Sequence, residues 1–324
     1  MPATFTPTQS SAAAPDQTNR PAALSADDVA ERARRVGGVA RLYGTAALRA
    51  FEQAHIAVIG IGGVGSWVVE ALARSAIGQL TLIDLDHIAP SNTNRQIHAL
   101  EGNYGRAKVS AMAERIALID PQCKVIEIED FAEPDNFDAL LSGGFDYVID
   151  AIDSVRTKTA LIAWCVARGQ PIITVGGAGG QLDPTRIRID DLTQTIQDPL
   201  LSKVRAGLRK QYGFARGAKV KFKVPAVYSD EPLIYPNAAP TEMGAAVADG
   251  MAVAAPDPLA DPDAAAATQP DVAVSQGPVG LNCAGFGSSV CVTAGFGFAA
   301  AAYVLRTLAA QANKTNAATA GISR

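Results

Sequence analysis

The stretch that most constrains this chain is residues 57–86, AVIGIGGVGSWVVEALARSAIGQLTLIDLD. An apolar run through Val58 and Ile59 meets four glycines, Gly60, Gly62, Gly63 and Gly65, within six residues. From Ser66 the spacing becomes helical, with Val68, Ala71, Leu72 and Ser75 on one face. Residues 80–83 then read as a strand that ends at Asp84. Strand, glycine turn, helix and strand make a βαβ unit. Such a turn lets backbone N–H groups approach a phosphate, and the helix N-terminus favours its charge. Asp84 lies 24 residues beyond Gly60, where a carboxylate reaches a ribose hydroxyl. The alternative is a turn that needs glycine only for packing; the complete strand–turn–helix–strand context favours a ligand.

The rest of the chain extends this unit. Residues 26–53 read as helical, carrying Arg32, Arg34, Arg35, Arg41 and Arg49, with Gly37-Gly38 as an interruption. After a turn-rich segment at 90–104, helices are expected at 106–119, 136–141, 157–168 and after Asp198-Pro199. Strands are expected at 124–128, 145–151, 171–175 and 186–189, with a strand or hairpin at 224–236. This alternation specifies an α/β fold, a Rossmann-like, doubly wound and mainly parallel sheet covered on both faces. Ligands on such sheets sit beyond the carboxyl ends of the strands. Residues 60–65, Asp84 and the pair Asp150/Asp153 lie at three such ends, so one crevice is expected to collect them.

Composition narrows the class. With 324 residues and 48% hydrophobic content, the chain has core enough for one large domain or two moderate ones. Cys123, Cys165, Cys283 and Cys291 form no C-x-x-C pair, which argues against a disulfide framework or a cysteine zinc site and suits a reducing cytoplasm. Residues 1–25 read as a disordered tail with no signal-peptide pattern. Residues 279–305 carry no charge and are long enough to span a bilayer. Their glycines, Asn282, Ser288 and Ser289, and the absence of flanking basic clusters favour a turn at 280–287 and a buried helix over 289–310. A peripheral membrane contact is left open. The domain layout expected is 26–236 for the nucleotide-binding domain, 237–278 for a low-complexity acidic insertion, 279–312 for a helix completing the domain and 313–324 for a second tail. Six acidic residues and no Lys or Arg fall in the insertion; taking its −6 from the total of −4 leaves +2 for the rest. That body holds eight basic residues and no acidic one between Lys203 and Lys223.

G-x-G-x-x-G, here Gly60, Gly62 and Gly65, serves NAD and ATP enzymes alike. The residues after Asp84 separate them. SNTNRQ places Asn92 and Arg95 one helical step apart, and Lys108 follows on the next helix. Nucleotidyl transfer needs fixed positive charge around a triphosphate, which Arg95 and Lys108 can supply. Asp153 can hold Mg²⁺, an ion content with one or two carboxylates plus phosphate oxygens. Singly, these are a solvated lysine and a cap for the helix after 154; jointly, at one crevice, they point to ATP.

GIGGVG, LIDLD, SNTNRQ, GRAK and AIDS resemble the ubiquitin-activating-type adenylating superfamily, which includes the bacterial thiamine and molybdopterin sulfur-carrier adenylases, over residues 35–180. The resemblance implies a homodimer that uses Mg-ATP to adenylate a carboxylate. It places the ribose on Asp84, the phosphates on the glycine turn, Asn92, Arg95 and Lys108, and the metal on Asp153. It also implies an arginine from the partner subunit's N-terminal arm, here Arg41 or Arg35. The superfamily's zinc-binding cysteine pairs are missing, so no zinc is expected, and residues 219–232 contain no cysteine for a thioester.

Within the superfamily, RLYG, NTNRQIHAL, VIDAIDSVRTK, TVGGAGGQLDPT and TIQDPL are similar to the tRNA threonylcarbamoyladenosine dehydratases. That branch implies adenylation of a threonyl carboxylate at position 37 of tRNA, then ring closure within the same base, for which no thioester is needed. The basic segment would follow the tRNA backbone through Lys203, Arg205, Arg209, Lys210, Lys219 and Lys221. A link to a cysteine desulfurase system is implied, and DNA is not expected as a partner. The rival readings are an adenylase of a sulfur-carrier or ubiquitin-like C-terminus, a non-enzymatic nucleotide-binding regulator and an NAD-dependent oxidoreductase. His55, His87 and His98 read as structural or surface residues.

Overall fold

The computed structural model describes residues 26–217, 219–235 and 286–322. The expected tail at 1–25, the insertion at 237–278 and Cys283 lie outside the described residues. The chain divides into two units, Met1–Gly38 and Val39–Arg324, and the sheet belongs to the second.

Among the described residues, seven strands form one sheet: β1 (His55–Ile59), β2 (Gln79–Ile83), β3 (Lys124–Ile128), β4 (Tyr147–Asp150), β5 (Ile172–Val175), β6 (Ile187–Asp191) and β7 (Pro225–Ser229). Their order is β3-β2-β1-β4-β5-β7-β6. Every neighbouring pair is parallel except β6–β7. The chain winds outward from β1 through β2 to β3, then returns to the other side of β1 to place β4 and β5. The reversal between β1 and β4 is the switch point at which a doubly wound sheet opens a crevice.

Strands buried on both faces read as continuous apolar runs, because successive side chains serve opposite layers. In β1, Ile56 and Val58 enter one core, while Ala57 and Ile59 enter the other. The first core is roofed by α2 (Thr45–Gln53), α3 (Gly65–Ala73), α4 (Lys108–Ile119) and α8 (Val290–Ile322). The second is roofed by α5 (Phe137–Leu140), α6 (Val155–Arg168) and α7 (Pro199–Gln211). The α/β class and parallel order expected from the sequence are therefore the observed ones.

From Val290 on, the membrane-length stretch is a core helix, and the turn expected at 280–287 lies mostly outside the described residues. Val292, Phe296, Ala300, Val304 and Leu308 recur every four residues along α8 and pack into the first core. Half of its apolar window, Val290–Ala317, is buried. Gly297 lets it press onto α3, since a Cβ there would lie 2.7 Å from the Val64 carbonyl oxygen.

Two expectations need correction, and the choice left open at 224–236 between a strand and a hairpin falls to the strand. Helix α1 (Ala26–Tyr43) runs through Gly37-Gly38 and stops at Gly44, whose φ of +94° is outside the helical region. Mid-helix glycine costs only about 1 kcal/mol, so it need not break a helix; a left-handed backbone angle does. No hairpin forms at 224–235: β7 is a single strand whose antiparallel partner is the upstream β6. Helix α8 continues to Ile322, past residue 312, because the alanine-rich sequence remains helix-compatible after its apolar stripe ends.

Candidate active site

The glycine turn after β1 contains two kinds of glycine. Gly60 has φ +87°, and a Cβ there would lie 2.8 Å from the Ala151 carbonyl oxygen; a Cβ on Gly65 would lie 1.8 Å from the Gly60 carbonyl oxygen. Those two are required by the packing of α3 against the ends of β1 and β4. Gly62 and Gly63 open on a cavity instead. A Cβ on Gly62 meets nothing nearer than Gln96 Nε2 at 3.9 Å, and one on Gly63 meets only the aliphatic part of Arg95 at 3.1 Å.

Asp84, at the end of β2, accepts hydrogen bonds from Ile61 N at 2.6 Å and Asp86 N at 2.8 Å. It thus braces the turn as well as lining the cavity. Burial raises its carboxyl pKa, and the Lys108 ammonium opposes that shift. Lys108 opens α4 and is 5% exposed, so it is not the solvated helix lysine that was the plainer alternative. Its Nζ lies 2.7 Å from Asp86 Oδ2 and 3.6 Å from Asp84 Oδ1.

The SNTNRQ segment begins within a 3-10 turn, Pro90–Asn92, where Asn92 Oδ1 accepts from the N–H of the preceding Ala89 at 2.9 Å. The Arg95 guanidinium donates to Ser91 O at 2.8 Å and Asn94 Oδ1 at 3.1 Å, while its carbonyl receives Trp67 Nε1 at 2.9 Å. Asp153 is exposed at the cavity, and the residue that caps α6 is Ser154, not Asp153. Asp150 was expected at the crevice and is not there. It is fully buried, with Lys158 Nζ at 2.8 Å and Thr174 Oγ1 at 2.7 Å on its Oδ2 and Ile152 N on its Oδ1. It shapes the turn that presents Asp153.

One cavity of about 860 Å³ collects Gly60, Gly62, Gly63, Asp84, Asn92, Arg95, Lys108 and Asp153. Gly65 lies beneath it. Arg41 is exposed in the last turn of α1 and does not line the cavity of its own chain. Arg35 pairs with Glu31 at 2.6 Å. Among the described residues no group of three acidic, histidine or cysteine side chains forms a metal site. Asp153 nonetheless fits Mg²⁺, whose remaining ligands are typically phosphate oxygens and water.

The far wall was largely missed from the sequence. The glycine-rich loop 176–180 sits over Asp198, a buried carboxylate that accepts from Gly177 N at 3.0 Å and Leu201 N at 2.9 Å. A Cβ on Gly176 would lie 1.8 Å from Asp198 Oδ2. Burial pushes the Asp198 carboxyl up to about 6, against the two N–H donors. Residues 286–288 return from the far end of the sequence to pair with this loop. Gly180 N donates to Gly287 O at 2.9 Å, and Gly179 bridges Ser288. The repeated glycines were the only local signal for the loop; its contact with 286–288 had none. Asp130 and Glu133 also line the cavity beyond β3, without a sequence signal.

The basic segment divides. Lys203, Lys210, Lys219 and Lys221 are exposed. Arg205 is buried and donates to Thr195 Oγ1, so it is a core residue and not a backbone-tracking cation. The Arg209 guanidinium lies 5.5 Å over the Phe222 ring. Among the histidines, His55 contacts Thr81 Oγ1 at 2.8 Å and His87 lies 3.5 Å from Glu129. His98 is buried with neither ring nitrogen hydrogen-bonded among the described residues, and burial holds its pKa down to about 4. Cys123 and Cys165 are buried thiols, and Cys291 is an exposed one.

Known proteins are similar to this chain over most of its length. The tRNA threonylcarbamoyladenosine dehydratase of Escherichia coli K12 is 48% identical over 280 residues, covering 86% of this chain and 95% of that protein. The protein of the same name from Haemophilus influenzae is 48% identical over 276 residues, covering 85% and 93%. A crystal structure of the E. coli enzyme, TcdA, in complex with AMP matches with a TM-score of 0.71 at 45% identity, covering 87% of this chain and 96% of that one. The complex with ATP matches with a TM-score of 0.71 at 44% identity and the same coverage. The description "ThiF family" fits residues 34–320, and the chain belongs to the ThiF family.

Proposed function

We propose that this protein catalyses the ATP-dependent dehydration of threonylcarbamoyladenosine at position 37 of tRNA, closing the threonylcarbamoyl group into a ring. The observation that carries this reading is the single cavity shared by the glycine turn, Asp84, Arg95, Lys108 and Asp153. Its support is the high identity, over most of both chains, to dehydratases whose structures hold ATP and AMP.

A threonyl carboxylate is a poor electrophile. In the first step its oxygen attacks the α-phosphorus of ATP, the bond to the β-phosphate breaks and pyrophosphate leaves. The carbamoyl group of the same base then attacks the acyl carbon, and AMP departs with the carboxylate oxygen. The balance is one water lost from the base and one ATP split. Holding both reacting groups on one base gives the second step its proximity advantage, so no cysteine is needed.

Asp84 receives the ribose hydroxyls, and Gly62 and Gly63 let the phosphates approach the backbone. Asn92 fixes the turn that carries Arg95. Arg95 and Lys108 place positive charge where negative charge builds on the leaving pyrophosphate, in a site whose dipoles are already ordered. Lys108 stands between Asp84 and Asp86, which hold its ammonium in place before the nucleotide arrives. Asp153 would hold Mg²⁺, which supplies charge neutralisation at the phosphates. A homodimer would bring Arg41 or Arg35 of a second copy to the cavity, the exposed lysines of the 203–221 segment would follow the tRNA backbone, and the protein would work in the cytoplasm, with a cysteine desulfurase system as a possible partner.

Incubation with ATP, Mg²⁺ and threonylcarbamoylated tRNA, followed by mass spectrometry of the nucleosides, tests the reading. Loss of one water with release of AMP and pyrophosphate is expected. An unchanged nucleoside alongside adenylation of a Gly-Gly peptide tail would replace the reading with the sulfur-carrier adenylase.

A further inference from the structure

We infer that the wall formed by residues 286–288 against 176–179 is the subsite for the carboxylate-bearing substrate, and that Asn94 is a positioning residue which latches this wall to Arg95. The inference rests on the functional reading above and names the half of the cavity that the second substrate enters.

Charge divides the cavity. The side beyond β2 and β3 carries Asp84, Asp86, Asp130 and Glu133 against one cation, Lys108, which Asp84 and Asp86 hold between them. Ribose hydroxyls and an adenine amino group can donate to such a surface. Four carboxylates against one ammonium leave this side net negative, and like charges a few ångströms apart repel, so a substrate carboxylate is disfavoured there. The side beyond β4 and β5 offers glycine backbone, Ser154, Thr157, Ser288 and Thr293, with Asp153 as the one carboxylate among the described residues that line it. An amino-acid carboxylate on a purine is therefore taken on this neutral, hydrogen-bonding side, with the glycine turn and Arg95 between it and the adenosine half.

The neutral wall is built by a long-range contact. Asn94 Nδ2 donates to Ser288 Oγ at 3.0 Å and Ser288 O at 3.2 Å, across 194 residues of sequence. The same side chain's Oδ1 accepts from Arg95 at 3.1 Å. One amide thus sets both the distance of the wall and the aim of the cation next to the phosphates. A shift in the wall is passed to Arg95 through this amide, and misplacement of about 1 Å in such a constellation can cost 10²-fold in rate.

Gly287 gives a selective probe. A Cβ there meets no atom within 4 Å, and its φ is not in the left-handed region, so a side chain adds bulk without strain. Gly287→Leu is expected to keep ATP affinity, measured by equilibrium binding, within about threefold, and to raise KM for threonylcarbamoylated tRNA by about tenfold or more. Asn94→Ala is expected to bind ATP but lose about tenfold in kcat at saturating tRNA, because the aim of Arg95 acts in the transition state. Retained ATP binding shows that each variant is folded. A wild-type KM in Gly287→Leu, or an equal loss of ATP and tRNA affinity, would overturn the subsite. A wild-type kcat in Asn94→Ala would overturn the latch. A wild-type protein that binds ATP and leaves the modified nucleoside unchanged would instead overturn the functional reading, and the subsite with it.

Discussion

The cavity has two glycine-rich loops, and they are built on different logic. In the turn at 60–65, the fold itself needs Gly60 and Gly65, while Gly62 and Gly63 face the cavity. In the loop at 176–180, Gly176 makes room for a buried carboxylate, and residues 286–288 close the outer side. The first loop is written within one βαβ unit. The second is assembled from α7, β5 and a segment more than a hundred residues downstream. A glycine motif therefore does not reveal which of its members serve a ligand; the space where a Cβ would go does.

The sharpest way to break that distinction is to fill those spaces. Gly65→Ala would put a methyl group 1.8 Å from backbone, and Gly176→Ala would put one 1.8 Å from Oδ2 of Asp198, whose carboxylate is fixed by an N–H donor on each oxygen. Both are expected to lose more than about 4 kcal/mol, the range of severe core disruption, or to yield no folded protein in a thermal melt. Gly62→Ala should fold with a nearly unchanged Tm and lose ATP affinity. Equal melting behaviour in all three would refute the division into packing and ligand glycines.

Next in size is Lys108→Ala. Its ammonium is buried at the cavity beside Asp84 and Asp86, and where such a fixed charge serves the phosphates its removal typically costs 10²–10³-fold in kcat, about 3–4 kcal/mol. ATP consumption should fall by that factor while circular dichroism stays that of a folded protein. Turnover like the wild type would remove Lys108 from the phosphate-binding group and leave it as a structural partner of Asp86.

The two regions should also respond to acid with opposite sign. His98, in the loop after Arg95, is held neutral, its pKa depressed from 6.5 to about 4. Between those values the unfolded chain binds the proton and the folded chain does not. Stability is therefore present above 6.5 and lost as the pH falls, by roughly 3 kcal/mol at pH 4. Asp198, under the second loop, is raised from 3.8 to about 6. Its folded form holds the proton more tightly, so its contribution is full below 3.8 and is lost as the pH rises through 6. The terms oppose each other over pH 4–6. Urea unfolding of His98→Gln should show its stability relative to wild type rising by roughly 3 kcal/mol from pH 7 to pH 4. A constant offset would mean that His98 titrates alike in both states.

How much of this was legible in the sequence follows from the range of the interactions. Elements fixed by local periodicity were readable: β3 and α4 fell within two residues of their expected limits, and the parallel order followed from the alternation of strands and helices. Residues near a strand end, such as Asp84 and Asp153, could be placed at the crevice because topology alone puts them there. Asp150 could not be separated from Asp153, because its burial depends on Lys158 and Thr174, which come from two other elements. The same holds for Asn94 and Ser288. Each is an ordinary polar residue until tertiary structure brings them to 3.0 Å.

The smallest expected effects lie in the basic segment, where the sequence showed charge and the structure shows its direction. Lys203 and Lys210 lie seven residues apart on α7 and are both exposed, a spacing that keeps them on one helix face. Arg205, between them, is buried against Thr195. If that face follows RNA, Lys203→Glu and Lys210→Glu should each weaken tRNA binding and lower the slope of log Kd against log salt by about 0.7–0.9, the counterion release of one phosphate contact. Arg205→Ala should lower Tm and leave the slope alone, since a buried cation releases no counterions when RNA binds. A slope that responds to Arg205 and not to the lysines would mean that α7 meets RNA through another face, or only after rearranging. The reverse pattern would show that the charge run serves two purposes, with one arginine committed to the core and the lysines on either side available to the substrate.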